Sequence, residues 1–463
     1  MVQACPADQI IPALGSDLDR SIDALAKSTN TNGSCTIEFF EHASFCPGAR
    51  LVEKHGIENQ DFLDLADVIR IIEPLKVKGP VSGPVSGVSI DTRKPIGDNR
   101  IFWALKGRHF NGNDFVGTAL ELGAKAAVVE REEILAEQWP PDASIILCRD
   151  TLQALQKLAS RYRSLFNIPV IGVTGSNGKT LVKEMLASIL CQERRIYRSP
   201  LSYNTQVGAA LALLGLRSEH QAAIIEAGIS LPGEMDKLQK MIRPDHGILT
   251  VISKAHIGGL GSLENTFEEK QKLFAQFDES SFLVINADDP LSMKLRERTR
   301  ARTYTFGLSS LADVRAEDVY VGPDKGHTFT MNLFGEKLRI RLPVAGWFNV
   351  VNALAASAAA RLSGASLGAI VAGLEQFRPS PMRLEMHTTI TGVTLINDTY
   401  NSDPASMKGA LDVLAKVGKG RRKIAILSEM LDLGLHSSEE HLAVGKDVVR
   451  AGVDHLITVG DNA

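Results

Sequence analysis

The stretch from Ile168 to Thr180 constrains the fold more than any other part of this chain. Its sequence, IPVIGVTGSNGKT, begins as an apolar β-branched run of strand type and passes through a loop of small residues into TLVKEMLASIL, which has the character of a helix. A strand, loop and helix of this kind cradle polyphosphate, because glycines let backbone N–H groups approach the anion and the helix presents its positive end. We therefore expect an ATP-binding phosphate loop within an α/β domain.

The spacing of the loop glycines departs from the commonest phosphate loop. Glycines stand at 172 and 175, and Val173 occupies the place five residues before the Gly-Lys pair where a glycine is usual. A Gly-rich turn without a ligand is the alternative. Lys179 is expected to reach the terminal phosphates, and the Thr180 hydroxyl to bind Mg²⁺. The residues expected to hold the nucleotide here are Gly175, Asn177, Gly178, Lys179 and Thr180.

Length and charge set limits on the class of protein. The 463 residues allow about three domains at the usual ~150 residues each. With 51 Lys and Arg against 54 Asp and Glu, nothing favours a general attraction to nucleic acid or to an anionic membrane. No apolar run approaches the ~18 residues of a membrane span, and the N-terminus lacks the pattern of a signal peptide. We expect a cytoplasmic protein without membrane insertion.

The pattern along the chain divides it into four segments. Residues 1–60 form an extension to which the sequence assigns no function. Residues 61–155 read as a small α/β domain, and residues 156–378 alternate strands and helices as in a mostly parallel sheet, followed by antiparallel hairpins and a long Ala-rich helix. Residues 379–463 read as a third α/β unit with three strands, including VTLINDTY, and two crossover helices. Because it stops just after a strand, we expect this last, Rossmann-like unit to be incomplete.

Three ionisable residues follow predicted strands of the central segment, at the sheet edge where open α/β folds bind ligands. Glu226 ends AAIIEAG, His256 follows HGILTVISKA, and Lys270 lies in the helix beyond it. The Glu226 carboxylate, the His256 imidazole and the loop threonine together are a credible Mg²⁺-nucleotide site, since magnesium takes few protein ligands and shares the substrate phosphates. Taken singly, a solvated carboxylate, a structural histidine and an exposed helix lysine are the alternatives.

Taken as a set, the motifs resemble the Mur ligase superfamily of ATP-dependent amide-forming enzymes in bacterial cell-wall precursor synthesis. The stretches that carry the resemblance cover about 61–463 and are SIDTRKPIGDNRIFWALKGRHFNGNDF, GVTGSNGKT, YNTQVGAALALL, IIEAGISLPGEM, HIGGLGSLENTFEEK, INADDP, FNVVNALAA, PMRLE, INDTYNSDPASM and EMLDLGLHSSEEH. The resemblance implies a three-domain α/β architecture with a central P-loop sheet. The last two stretches favour the branch whose substrates are UDP-N-acetylmuramoyl-tripeptide and D-alanyl-D-alanine.

The resemblance also implies roles for residues. Lys179 holds the ATP phosphates, Thr180 and Glu226 bind the first Mg²⁺, and His256 serves the second. Lys270 matches a lysine that is carbamylated in the superfamily. The remaining matches are Asn349 and Asn352 near the base, Arg383 and Asp398 at the phosphate and ribose, Thr92, Arg93, Arg108, His109 and Phe110 in the uridine-diphosphate pocket, and Asn204 facing the peptide-bearing sugar.

Two other functions remain open at this stage. A relative that binds ATP or the nucleotide sugar without catalysis is one, because the third unit reads as incomplete. A different P-loop ATP-dependent transferase is the other. Phosphate release that requires both the tripeptide substrate and D-alanyl-D-alanine separates all three. The sequence leaves open whether the tripeptide ends in diaminopimelate or lysine, and it does not give the oligomeric state.

Overall fold

The structure is a computed structural model that describes residues 63–107, 109–321 and 326–463. The expected extension over residues 1–60 and Arg108 lie outside the described residues. The described part divides into two units, one of which is Pro381–Asn401, and all other described residues belong to the second. Within this described part, no helix combines the length and the apolar character needed to cross a membrane.

The N-terminal region is a small α/β sandwich, as expected. Its strands are β1 Leu63–Asp64, β2 Lys76–Lys78, β3 Pro84–Val85, β4 Gly87–Ser89, β5 Arg100–Trp103, β6 Ala126–Val129 and β7 Ser144–Leu147. Its helices are α1 Leu65–Ile72, α2 Val116–Glu121 and α3 Thr151–Arg163, with 3-10 turns at Gly112–Phe115 and Glu132–Ala136. Strands β4, β5, β6 and β7 are parallel neighbours, β2 adds antiparallel to β7, and β1 pairs with β3.

Helix α3 joins this region to the next one. Asp150 caps its N-terminus by accepting a hydrogen bond from the backbone N–H of Gln153, at 2.8 Å. The helix packs against α1 on one side and against two helices of the central region on the other. Its apolar residues, such as Leu155 and Leu158, share a single buried core with both regions. The boundary expected between residues 155 and 156 therefore falls inside a helix.

The central region holds the phosphate loop. Its strands are β8 Val170–Thr174, β9 Ile196–Arg198, β10 Ala222–Glu226, β11 His246–Leu249, β12 Phe282–Asn286, β13 Arg302–Gly307, β14 Val314–Val321, β15 His327–Leu333 and β16 Glu336–Leu342. Its helices are α4 Lys179–Leu190, α5 Gln206–Leu213, α6 Glu234–Ile242, α7 Ile257–Leu260, α8 Leu263–Gln271, α9 Pro290–Met293, α10 Trp347–Leu362 and α11 Leu367–Glu375, with 3-10 turns at Lys272–Phe274 and Lys294–Glu297.

These nine strands form one sheet in the order β16-β15-β14-β13-β12-β11-β8-β10-β9. Pairing is parallel from β9 to β14, and the last three strands are antiparallel hairpins, as the sequence predicts. Strands β8, β10 and β12 are buried along their whole length, which agrees with their continuous apolar runs. The loop after β8 and the end of β10 consequently meet at one edge of the sheet.

The C-terminal region differs from the predicted succession of parallel strands. In the unit Pro381–Asn401, β17 Glu385–Thr388 and β18 Thr394–Asn397 form an antiparallel hairpin. The strand VTLINDTY therefore pairs with β17, and the prediction that it belongs to a parallel set is corrected. Beyond it, β19 Ile424–Ser428 and β20 His455–Val459 pair in parallel, with α12 Pro404–Val417, a 3-10 turn at Gly434–His436 and α13 Ser437–Arg450.

Helices α12 and α13 pack on the central region through an apolar cluster of their own. Ile257 of α7 and Leu263 of α8 contribute to it from the central side. Met407, Leu411 and Leu433 are among the buried residues that face them. The start of α7 is also pressed against the loop before α13, since a side-chain carbon on Gly258 would lie 2.6 Å from the backbone nitrogen of Gly434. This docking surface lies beside the phosphate loop.

Candidate active site

Two glycines of the phosphate loop are required by its geometry. Gly175 has a φ of +139°, and a Cβ there would lie 1.9 Å from the Thr250 hydroxyl oxygen. Gly178 has a φ of +84°, and its Cβ would lie 2.5 Å from Oδ1 of Asn352. Both positions combine a conformation that L side chains rarely adopt with direct contact to a neighbour. The loop is further braced by the Thr250 hydroxyl, which donates to the Asn177 carbonyl at 2.6 Å.

The helix after the loop is arranged to receive an anion. Helix α4 starts at Lys179, and Gly178 offers no side chain to cap it. The exposed donors of its first turn and the helix dipole favour a negatively charged group at this end. The Lys179 ammonium donates to the carbonyls of Gly175, at 3.0 Å, and Ser176, at 2.8 Å, so its charge is held directly over the loop.

A buried carboxylate lies at the base of the loop. Glu226, at the end of β10, is fully buried, and its Oε2 accepts a hydrogen bond from the Thr180 hydroxyl at 3.0 Å. Its Oε1 accepts from the Asn204 side-chain amide at 2.6 Å. The sequence predictions for Thr180, Glu226 and Asn204 thus fall on one cluster. A hydroxyl and a carboxylate at hydrogen-bond distance are hard oxygen ligands, which suit Mg²⁺.

The lysine of α4 that the sequence reasoning passed over lies under this cluster. Lys183 is fully buried, and its ammonium nitrogen is 3.6 Å from Oε2 of Glu226. It stands among apolar residues of α4 such as Val182 and Met185, and that position is the signal that could have found it. A charged side chain in the middle of TLVKEMLASIL requires a buried partner.

His256 is held by a contact from the C-terminal region. Its backbone is left-handed, with a φ of +57°, and its Nδ1 lies 3.2 Å from Oδ2 of Asp432. Burial lowers the pKa of His256, and the charge of Lys179 lowers it further, against the opposing effect of Asp432. These influences favour the neutral imidazole, which is the form that binds metals. Asp432 lies in the matched stretch EMLDLG, but sequence reasoning assigned it no individual role.

Lys270 is buried without a counter-charge. Only 1 % of the residue is exposed, and among the described residues no group forms a hydrogen bond or ion pair with its amine. Burial lowers the pKa of Lys270 well below its ordinary value, and the positive charge of Lys179 adds to that effect. The prediction of an exposed helix lysine, which was the alternative, is therefore wrong for this position. The amine of Lys270 is favoured in its neutral, nucleophilic form.

The asparagines of α10 meet the phosphate loop itself. Both are buried, and the Asn352 side-chain nitrogen donates to Oδ1 of Asn349 at 3.3 Å. The Asn349 nitrogen donates in turn to the Ala345 carbonyl at 2.7 Å. Since Asn352 lies against Gly178, this pair fixes the end of the loop as well as the start of α10.

The side chain of Asn177 is committed to the protein. Its nitrogen donates to both carboxylate oxygens of Asp403, at 3.0 and 2.8 Å. Its oxygen accepts from the Ser253 hydroxyl at 2.5 Å. Asp403 also caps α12 in a capping box with Ser406. The phosphate loop is therefore hydrogen-bonded to the helix that opens the C-terminal part of this unit, a link that sequence reasoning missed.

The remaining sequence candidates lie elsewhere. In the unit Pro381–Asn401, the Arg383 guanidinium stacks over the Tyr400 ring at 4.1 Å, and the Asp398 carboxylate accepts from the Leu384 N–H at 3.0 Å. In the N-terminal region, Arg93 is exposed and forms a bidentate pair with Asp91, with its Nη2 at 2.7 Å from Oδ2. The structure also describes Thr92 as half-buried and His109 and Phe110 as exposed.

Three family descriptions match the chain in order. The Mur ligase family catalytic domain matches residues 84–163, the Mur ligase middle domain residues 173–360, and the Mur ligase glutamate ligase domain residues 382–463. A phosphate loop on a parallel sheet with a buried carboxylate defines the class as an α/β nucleotide-dependent enzyme. The chain belongs to the Mur ligase family, with its three-domain α/β architecture, and is an ATP-dependent amide ligase.

Individual relatives agree with this assignment. The UDP-N-acetylmuramoyl-tripeptide–D-alanyl-D-alanine ligase of Bacillus subtilis is 33% identical over 390 residues, which cover 83% of this chain and 83% of that protein. A crystal structure of MurF from Acinetobacter baumannii has a TM-score of 0.76 at 29% identity and covers 86% of each chain. The MurF ligase of Thermotoga maritima in complex with ADP has a TM-score of 0.68 at 25% identity, over 81% of this chain and 88% of that one.

Proposed function

We propose that this chain joins D-alanyl-D-alanine to the terminal carboxylate of UDP-N-acetylmuramoyl-tripeptide, using ATP and an acyl-phosphate intermediate. The observation that carries the proposal is the cluster of Thr180, Glu226 and Asn204 beneath the phosphate loop, in a chain 33% identical to a ligase of that name. A carboxylate is a poor electrophile, so it must be activated before an amine can attack it.

The phosphate loop supplies the activation. A carboxylate oxygen of the tripeptide attacks the γ-phosphorus, and the bond to the bridging oxygen breaks to release ADP. Lys179 and the first-turn amides of α4 stabilise the charge of the transferring phosphoryl group. The nitrogen of D-alanyl-D-alanine then attacks the acyl carbon, a proton leaves the amine, and phosphate departs. Gly175, Asn177 and Gly178 contribute by holding the loop, Asn177 through Asp403 and Ser253.

The residues present fit a magnesium ion at Glu226. Thr180 and Glu226 offer two oxygens 3.0 Å apart, and no three His, Cys, Asp or Glu side chains converge anywhere in the described residues. Such a sparse site suits an ion that keeps water and phosphate ligands. Mg²⁺ bound there neutralises phosphate charge. His256 would serve a second ion, with Asp432 orienting its ring.

Lys270 is assigned here as the lysine that reacts with CO₂. Its neutral amine forms a bond to the carbon of CO₂ and releases a proton, and the product is an anionic carbamate. The burial of the amine without a counter-charge supports this assignment, because a free ammonium would be unfavourable at that position. The carbamate oxygens would then supply the second-ion site with the negative charge that His256 lacks.

The substrate-binding residues follow by resemblance. Asn349 and Asn352 are assigned to the side of the nucleotide base, and Arg383 and Asp398 to the phosphate and ribose. Asn204 is assigned to the peptide-bearing sugar. The assigned residues of the uridine-diphosphate pocket are Thr92, Arg93, Arg108, His109 and Phe110.

The test is phosphate release from ATP by the full chain. We expect release only when UDP-N-acetylmuramoyl-tripeptide and D-alanyl-D-alanine are both present, with omission of either as the control. Running the diaminopimelate and the lysine tripeptides side by side identifies the third residue. Phosphate release that is indifferent to D-alanyl-D-alanine, or a ligated product containing another amine, would contradict the proposal.

A further inference from the structure

Lys183 is a fully buried cation that the reaction above does not use. Its ammonium donates to the backbone carbonyl of Ser199 at 2.7 Å and to that of Leu201. These two carbonyls belong to the segment that connects β9 to α5. The bond to Ser199 is buried and water does not compete for it, whereas Leu201 is 48% exposed and the bond to its carbonyl is only partly buried.

The segment that Lys183 holds carries two groups into the site. The Ser202 hydroxyl oxygen lies 3.2 Å from that of Thr180, and the Asn204 amide nitrogen lies 2.6 Å from Oε1 of Glu226. Fixing the carbonyls of residues 199 and 201 therefore fixes the positions of both side chains.

Lys183 also compensates two acids, the fully buried Glu226 and the partly buried Glu184. Its nitrogen lies 3.6 Å from Oε2 of Glu226 and 3.2 Å from Oε1 of Glu184. Arg198 completes the chain of charges, with its Nε 2.7 Å from Oε2 of Glu184. Two carboxylates and two cations balance one another. Without Lys183, Glu226 would be a fully buried carboxylate with no cation among these contacts, and burial of an unpaired charge is unfavourable.

We propose that Lys183 is a positioning residue that holds the 199–204 segment and the Glu226 carboxylate in one arrangement, so that Thr180 and Asn204 share that carboxylate. Its importance for catalysis rests on the proposed function, in which Glu226 binds Mg²⁺. The structural part of the inference is independent of that role. It predicts that the segment loosens when the ammonium is removed.

The first experiment measures amide hydrogen exchange in the full chain. The variants are Lys183→Met, which removes charge and donors, and Lys183→Gln, which keeps a donor. Lys237→Met is the matched control, because Lys237 is an exposed helix lysine. We expect residues 199–204 to exchange at least about tenfold faster in Lys183→Met, with β12 unchanged, and to be partly protected again in Lys183→Gln. Unchanged exchange in that segment overturns the inference. If Lys183→Met fails to fold, Lys183→Gln carries the same comparison.

The second experiment asks whether Lys183 acts by positioning the Glu226 carboxylate or only by neutralising its charge. ADP binding is measured by calorimetry across a range of Mg²⁺ concentrations. Loss of positioning predicts that half-saturation needs about tenfold more Mg²⁺ in Lys183→Met, because a misplaced carboxylate binds the ion poorly. Loss of charge alone predicts the opposite, since an uncompensated Glu226 attracts the ion more strongly. If Glu226→Gln shows that Glu226 binds the ion, a tighter or unchanged Mg²⁺ dependence in Lys183→Met overturns the role of Lys183 in positioning that carboxylate.

A parallel variant distinguishes this inference from the proposed function. If Glu226 is a metal ligand, Glu226→Gln should raise the Mg²⁺ concentration that half-saturation of ADP binding requires. If it does not, the metal role of Glu226 in the proposed function fails, and hydrogen exchange in residues 199–204 still decides whether Lys183 positions the segment.

Discussion

Lys183 and Lys270 are two buried lysines of the central region with opposite surroundings. Lys183 is placed between carbonyls and carboxylates, with the Ser199 oxygen at 2.7 Å and Glu226 at 3.6 Å. Lys270 has no hydrogen-bond or ion-pair partner among the described residues, and burial, together with the positive charge of Lys179, lowers its pKa. Burial favours the ammonium only where partners replace water. The ammonium of Lys183 therefore has partners that replace water, whereas the charged form of Lys270 is disfavoured.

A third lysine of the central region, Lys179, gives the largest expected effect. Lys179→Ala removes the charge held over the phosphate loop, and we expect ATP turnover to fall by ~10³ or more. The measurement is steady-state phosphate release with both substrates present. Lys237→Met is the control, and near-normal turnover in Lys179→Ala would remove the phosphate-loop assignment.

Lys270→Ala tests whether the unpaired amine is the chemically modified one. We expect ligation to fall by ~10²–10³, because an anionic group beside the second ion is lost. A small added carboxylate should restore part of the activity by supplying the missing charge, and it should have no effect on Lys179→Ala. An active Lys270→Ala protein would contradict the assignment.

Exchanging each buried lysine for methionine should lower the free energy of unfolding markedly at Lys183 and change it little at Lys270. Lys183→Met leaves a buried carboxylate unpaired, and we expect it to lower the free energy of unfolding by about 3 kcal/mol. Lys270→Met removes an amine that has no hydrogen-bond or ion-pair partner among the described residues, and in CO₂-free buffer we expect a change within about 1 kcal/mol. Urea unfolding of both variants, with Lys237→Met alongside, measures the difference. Equal losses of unfolding free energy in the two variants would show that the partners of Lys183 do not determine its contribution to stability.

Cys148 gives the smallest expected effect. It tests on an acidic group, the thiol, whether burial favours the neutral form of a side chain. Burial raises the pKa of Cys148 to about 11, and the nearby Glu130 charge acts in the same direction. Desolvation thus favours the neutral thiol here just as it favours the neutral amine at Lys270. At pH 8 we expect alkylation of Cys148 in the native protein to be at least about tenfold slower than that of a free thiol. Alkylation followed by peptide mass spectrometry measures it, with the unfolded chain as the control. Equal rates in the folded and unfolded protein would mean that burial does not govern these groups.

Local sequence determined the elements that carry the site. The β-branched run before Gly175 became β8, the Gly-Lys-Thr step became the start of α4, and the apolar stretch AAIIE became β10 with Glu226 at its end. Strand alternation likewise predicted the hairpins of β14, β15 and β16. These outcomes depend on hydrophobic periodicity and on glycine conformation, which are properties of neighbouring residues.

Partners distant in the sequence were decided only by the tertiary structure. Asn177 meets Asp403 across 226 residues, and His256 meets Asp432 across 176. Tertiary structure also decided the pairing of β18 with β17 and the way α3 joins two regions. It likewise decided the difference between Lys183 and Lys270. A lysine in a helix has the same local pattern whether its amine lies among carbonyls or among apolar groups. The surroundings of the amine depend on how distant elements such as β9 and β10 pack. They matter because the energy of a buried charge is set by the groups that replace water around it.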